Sequence, residues 1–135
     1  MAYTVRTTGK HCMAIDVTGV LAATGGAIAA VPNPWGETVL ILQSTWYVTT
    51  ASTGAANLNI GIGATATTDS ADIISALAVN GAVAGLAYNG HVVEVTAQTT
   101  IAAPAHWHAG DFITFTGDGS TVGLVGTLYI QVVPV

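Results

Sequence analysis

Strict alternation of side-chain type most limits what this chain can fold into, and it is clearest over residues 57–64 (NLNIGIGA). Leu58, Ile60 and Ile62 alternate with small or polar residues, which on a β-strand places the apolar side chains on one face. That face is predicted to belong to the core. Glycines on the opposite face are predicted either to admit a close neighbour or to mark a bulge.

Other segments share the β-branched and aromatic composition of strands and end at Gly, Asn, Thr or Pro turns. They are residues 38–50 (TVLILQSTWYVTT), 91–97 (HVVEVTA), 111–116 (DFITFT) and 122–135 (VGLVGTLYIQVVPV), with weaker candidates at 3–7 and 13–20. Within 111–116, Ile113 and Phe115 are predicted to share one face. The chain is therefore predicted to be all-β, with six to eight strands.

One segment, residues 69–77 (DSADIISAL), has helical spacing. Ile73, Ile74 and Leu77 fall at i, i+1 and i+4, and Asp69 or Ser70 can cap the first turn. We therefore expect one short helix inserted in a β-sandwich. A jelly roll is favoured over an immunoglobulin-like sandwich, because the Cys, Trp, Cys spacing of antibody-type domains is missing.

The length of 135 residues fits one domain with one core, so residues 1–135 are predicted to form a single sandwich. Residues 1–30 are weakly patterned and glycine-rich, which suits either strands of the sandwich or an extended N-terminal arm that reaches a neighbour. The lone Cys12 cannot form an internal disulfide, so nothing indicates an oxidising compartment.

Charge is scarce: 7% of residues are charged, against about 25% in an average domain. The mean hydropathy is +0.62. A surface with so little charge invites association, so we expect an oligomer. Net charge is −5 with Arg6 and Lys10 as the only fixed cations, and no nucleic-acid partner is expected.

No membrane span is expected either. The most apolar window, residues 17–31, is shorter than the roughly 20 residues that a spanning helix needs, and it contains three glycines. The N-terminal residues lack the apolar core of a signal peptide.

The sharpest chemical motif is AHWHAGD at residues 105–111, where His106 and His108 lie at i and i+2. On a strand both imidazoles share one face, a geometry that can bind a transition metal. His11 or His91 could supply a third ligand, and Asp111 or Glu94 a carboxylate. The motif resembles the first metal motif of cupins, but no Glu follows at the usual spacing and no His follows His108. We therefore favour the interpretation that the two imidazoles form hydrogen bonds with neighbouring groups or water. If the motif does bind a metal, His106 and His108 are the candidate ligands.

Aromatic residues supply a second set of candidates. Trp46 lies inside the long strand and is predicted to be core. The candidate interface residues are Trp35 and Trp107. Trp35 lies in the turn VPNPWGE, and Trp107 should face away from the flanking histidines. Together with Tyr88, the three tryptophans could instead form a platform for stacking sugars.

Motifs for catalysis are missing. No serine has a G-x-S-x-G context, and the Gly-rich stretches lack the lysine and the strand-to-helix setting of a phosphate cradle. We expect a protein that is not an enzyme and needs no cofactor.

From about residue 38 onward the chain resembles small bacteriophage virion proteins that decorate or cement capsids. The resemblance lies in STGAANLNIGIGATATTDSADIISAL, GAVAGLAYNG and GDFITFTGDGSTVGLVGTLYIQVVPV. It implies a jelly-roll module, trimeric, bound to the major capsid protein on the virion and assembled in the host cytoplasm. The alternatives are a fibre or receptor-binding domain that recognises carbohydrate, and a small cupin-like metal-binding protein.

Overall fold

The computed structural model describes residues 3–9, 11–20, 26–90 and 106–135. These residues form ten strands and no helix. The strands are β1 (Tyr3–Gly9), β2 (Cys12–Thr18), β3 (Gly26–Pro32), β4 (Val39–Thr50), β5 (Asn57–Gly63), β6 (Ile74–Ala78), β7 (Ala87–Asn89), β8 (His106–Trp107), β9 (Phe112–Gly117) and β10 (Val125–Pro134). The predicted all-β class is confirmed.

The strands form two antiparallel sheets. Sheet A has the order β1-β2-β10-β4-β7, with the short β8 also paired to β4, and sheet B has the order β3-β9-β5-β6. Most neighbours are far apart in the chain; β2, for example, pairs with β10 from Thr18 opposite Val125 to Cys12 opposite Gln131. The sheets are therefore built mainly from long-range pairings.

The inner faces of the two sheets share one hydrophobic core, as in a β-sandwich. Met13 and Ile15 of sheet A and Ile113 and Phe115 of sheet B belong to the same buried cluster. Trp46 lies between the sheets, with its ring centroid 6.0 Å from that of Phe115. The predicted burial of Trp46, Leu58 and Ile60 is confirmed. Ile113 and Phe115 share one face, as predicted, and that face is buried.

The predicted helix over residues 69–77 is wrong. Its second half forms β6, which pairs with β5 at the edge of sheet B, with Leu58 opposite Leu77 and Ile60 opposite Ile74. Ile73 and Ile74 are buried, so the apolar residues that suggested a helical face instead reach the core from an extended segment.

The chain between β5 and β6, residues 64–73, folds back over the outer face of sheet B; we call it the strap. The Asp69 carboxylate accepts hydrogen bonds from Thr116 Oγ1 (2.6 Å) and Asn59 Nδ2 (3.0 Å). A Cβ atom at Gly61 would collide with Ser70 of the strap. The strap is therefore the close neighbour that the glycines of β5 admit, and beneath it Thr114 and Thr116 are buried.

Two further predictions concern residues 91–97 and the N-terminal residues. The strand expected at residues 91–97 lies outside the described residues. Within the first 32 residues, β1 and β2 are strands of sheet A and β3 is a strand of sheet B. In the described segments no helix is long and apolar enough to cross a membrane.

Candidate functional site

The two candidate metal ligands lie together at the end of β8. His106 is opposite Leu40 of β4, and its ring lies nearly parallel to that of His108, with centroids 5.9 Å apart and planes inclined by 20°. His108 Nδ1 is 3.5 Å from a carboxylate oxygen of Asp111. The i, i+2 spacing thus brings the imidazoles onto one side of the chain, as the sequence predicted.

A third ligand is not brought to this pair by the described residues. His11 lies at the β1–β2 hairpin, where its carbonyl accepts a hydrogen bond from Val132 N, and strands β10 and β4 separate it from β8. His91 and Glu94 lie outside the described residues. In the part of the chain that is described, no group of three His, Cys, Asp or Glu side chains could hold a metal ion. Metal binding by His106 and His108 stays a prediction.

Trp107 points away from the histidines, as expected, but its side chain is fully buried. Its Nε1–H donates to the Asp111 backbone oxygen (3.1 Å), and its ring meets Trp35 edge to face at a centroid distance of 5.7 Å. Asn33 Nδ2 donates to the Trp107 carbonyl (2.8 Å), and Asn33 Oδ1 accepts from Trp35 N (2.9 Å). The two tryptophans thus join the β3–β4 turn to β8, and Trp107 has no surface left in this chain for a partner to contact.

The predicted sugar-stacking platform is not formed by these aromatic rings. Trp46 and Trp107 have no exposed surface, while Trp35 and Tyr88 are only partly buried and pack against the core. A sugar face needs open aromatic rings. Two of the four rings are therefore unavailable for stacking.

Five of the large aromatic and aliphatic side chains that are exposed in the described residues lie on the outer side of sheet A. We call the outward-pointing side of β1, β2, β10 and β4 face A. Alternation along β10 buries every second residue from Gly126 to Val132 and turns Tyr129 and Val133 outward. The pairing of β10 with β4 places Tyr129 opposite Thr45, and Tyr47 opposite Thr127. Tyr129 and Tyr47 are 45% and 38% exposed.

A bulge in β4 adds a further apolar side chain to face A. The register shifts between Gln131 and Val132, which pair with Gln43 and Ile41, so Leu42 is the extra residue. Leu42 is 49% exposed. Bulges occur where a strand redirects a side chain, and here the redirected side chain faces solvent.

An ion-pair network occupies the β1–β2 side of face A. Arg6 Nη2 donates to Asp16 Oδ1 (2.8 Å) and Arg6 Nε to Asp16 Oδ2, while Thr127 Oγ1 donates to Asp16 Oδ1 (2.7 Å). The Arg6 guanidinium holds the pKa of Asp16 below its ordinary value, and the Asp16 hydrogen bonds raise the pKa of Arg6. Both side chains are well exposed, so water and salt screen the pair and it contributes little to stability.

Between this network and the bulge runs an open groove of about 290 Å³. Its side-chain lining includes Cys12, Gln43, Thr45, Tyr129 and Gln131. The lining holds no acid and no base, so the groove offers neutral polar and aromatic contacts rather than a charged binding site. Sequence reasoning missed this surface because it favoured tryptophans; the alternation of Tyr129, Gln131 and Val133 along β10 was the signal that could have located it.

Comparison with known proteins places the fold. No protein-family model matches the chain, and no curated protein matches it. Among solved structures, a chain of the capsid of Ralstonia phage GP4 matches all of this chain and 91% of its own length, with a TM-score of 0.51 and 15% sequence identity. At that identity the likeness shows a shared fold.

Proposed function

We propose that this chain is a structural protein of a bacteriophage virion. The observation that carries the proposal is the fold likeness to a chain of the Ralstonia phage GP4 capsid, which extends over the whole chain. Fold alone does not imply function. The fold topology and the surface of the chain supply further support.

We further propose that the fold is a jelly roll. Apart from β1 and β8, eight strands are divided equally between the sheets, with orders β2-β10-β4-β7 and β3-β9-β5-β6. Pairing is nested, since β2 pairs with β10, β3 with β9, β4 with β7, and β5 with β6. A long hairpin rolled around one core gives this nesting, and two-sheet jelly rolls are frequent in viral capsid proteins.

The surface chemistry suits a subunit of a larger assembly. Charged residues make up 7% of the chain, and large apolar side chains are exposed on face A. Both features favour association with other subunits over a monomeric state in solution. The strap and the hydrogen-bonded turn at Asn33 reduce the exposed backbone, which suits a particle exposed to proteases.

Within the virion, we assign this chain the role of a trimeric decoration or cement protein on the major capsid protein. It acts without catalysis or cofactor: low-charge surfaces fill the junctions between capsid subunits and oppose expansion of the shell. Its partners are then capsid protein and copies of itself, with no nucleic acid or membrane involved. Assembly takes place in the host cytoplasm.

The test is binding to capsids of the phage that encodes the chain, prepared without this protein. Purified protein is added over a range of concentrations and the particles are sedimented. We expect saturable occupancy, a fixed number of copies per capsid, and a higher temperature of capsid rupture. Capsids of an unrelated phage serve as the control. Occupancy no higher on the cognate particles than on the control would refute the decoration role.

A further inference from the structure

The outer faces of the two sheets differ in how far the described segments cover them. The strap covers sheet B, with Asp69 bonded to Thr116 and Asn59. No described segment crosses face A in the same way. Of the large apolar side chains that are exposed in the described residues, five lie on face A: Leu42, Tyr47, Val125, Tyr129 and Val133. Face A is therefore the broad apolar surface that the described segments leave uncovered.

The distribution of charge identifies the kind of partner. The chain carries a net charge of −5, so two copies repel each other over most of their surface. The described acids other than Asp16 lie in the loops: Glu37, Asp69, Asp72, Asp111 and Asp118. On face A, Asp16 is neutralised by Arg6. Face A is thus a surface on which another copy meets no excess negative charge.

The size of face A is sufficient for such a contact. Four strands about 4.8 Å apart, with residues spaced by about 3.3 Å along the ten-residue β10, cover about 600 Å². A specific interface needs roughly 500 Å² from each partner. We propose that face A is the surface on which a second copy of this chain docks. The proposal deepens the proposed function, on which it rests for the number of copies, by assigning the contact between subunits to face A.

The test compares two double variants with the same change of charge. In the first, Tyr47→Glu and Val133→Glu place two acids on face A, where the original side chains are 38% and 37% exposed. In the second, Leu86→Glu and Val122→Glu place them in loops, at side chains that are 47% and 42% exposed. Mass is measured by light scattering, and the melting temperature verifies folding.

We expect the wild type and the loop variant to have a mass of about three times the 13.5 kDa protomer, and the face A variant to have the protomer mass. In a cyclic trimer each contact buries face A of one copy against a different surface of the next copy, so each contact of the variant would bury two unpaired acids. Their loss of hydration is the reason for the dissociation. A folded face A variant that keeps the wild-type mass overturns the proposal. A monomeric wild type at about 100 μM overturns it as well, because the dissociation constant of any contact on face A would then lie above roughly 100 μM.

A second readout uses the wild type alone. Cys12 is the only cysteine, is partly exposed and lines the groove of face A. Its alkylation by N-ethylmaleimide should slow at least tenfold as protein concentration rises through the range of assembly. An unchanged rate across that range would show that copies associate elsewhere. These measurements use no capsids, so failed capsid binding with a face A oligomer would refute the decoration role and leave this inference standing.

Discussion

Replacing Gly61 by alanine tests how closely the strap lies on sheet B. A Cβ atom built at Gly61 would lie 2.6 Å from the Ser70 carbonyl carbon and 2.7 Å from Ser70 Cβ. Ordinary contacts between carbon atoms are about 3.5–4.0 Å, so the strap backbone has to move outward by about 1 Å. Three hydrogen bonds depend on its present position: Thr116 and Asn59 to Asp69, and Ile62 N to Asp72 (3.3 Å).

The expected cost follows from those bonds. Each contributes about 1 kcal/mol net, so losing all three costs about 3 kcal/mol. Alanine recovers about 0.5–1 kcal/mol of that because glycine loses more conformational freedom on folding. The free energy of unfolding should therefore fall by about 2 kcal/mol, which lowers the melting temperature by about 6 °C for a chain of this size.

Thermal unfolding followed by circular dichroism measures this change, and hydrogen exchange over residues 62–73 locates it. Gly54→Ala is the matched control, because the nearest atom to its Cβ would be the Ser120 carbonyl oxygen at an ordinary 3.9 Å. The control should change the free energy of unfolding by less than about 0.5 kcal/mol. If Gly61→Ala were as stable as Gly54→Ala and its strap exchanged no faster, the close approach described here would be wrong.

Further predictions concern the strap, the tryptophan pair and the turn that supports it. The hydrogen bond from Thr116 lowers the pKa of Asp69 in the folded protein. The stability that the Asp69 carboxylate contributes is therefore complete above the unfolded pKa of about 3.9 and is lost as the pH falls through the lower folded pKa. The difference in melting temperature between wild type and Asp69→Asn should therefore be largest at pH 7 and should shrink toward pH 2; a constant difference would contradict this. Trp107→Ala should lower the free energy of unfolding by about 3–5 kcal/mol, because the ring is fully buried. His108→Ala, at an exposed position, should lower it by less than about 0.5 kcal/mol. Equal urea midpoints for the two variants would refute a structural role for Trp107. Asn33→Ala removes the hydrogen bonds to Trp107, Trp35 and Glu37 and should cost about 1–3 kcal/mol in thermal melts. An Asn33→Ala variant as stable as the wild type would exclude this coupling.

Local patterns in the sequence were sufficient for several elements. The alternation around Leu58 and Ile60 located β5 and its buried face, and the β-branched run at residues 38–50 located β4 with Trp46 inside. Alternation along β9 also placed Ile113 and Phe115 on one face, which the structure buries in the core. These features depend on neighbouring residues alone, and a period of two is a local property.

Long-range contacts decided the remainder. Residues 69–77 have a helical spacing of isoleucines, but Asp69 bonds across to Thr116 and Ile73 N donates to the Ile60 carbonyl (2.9 Å), so sheet pairing overrides the local preference. The glycines of β5 indicated either a close neighbour or a bulge, and they did not identify the strap. Face A likewise depends on the register that places Tyr129 and Tyr47 on adjacent strands, and no local pattern contains that register.

The most direct test of a virion structural role is a cryo-EM reconstruction of the phage that encodes this chain. We expect density for the two-sheet fold on the outer surface of the capsid, in clusters of three copies, with face A buried between copies. Clusters that contact the capsid but bury another surface would contradict the assignment of face A. Density for this fold confined to a tail fibre, or missing from the particle, would contradict the central claim itself.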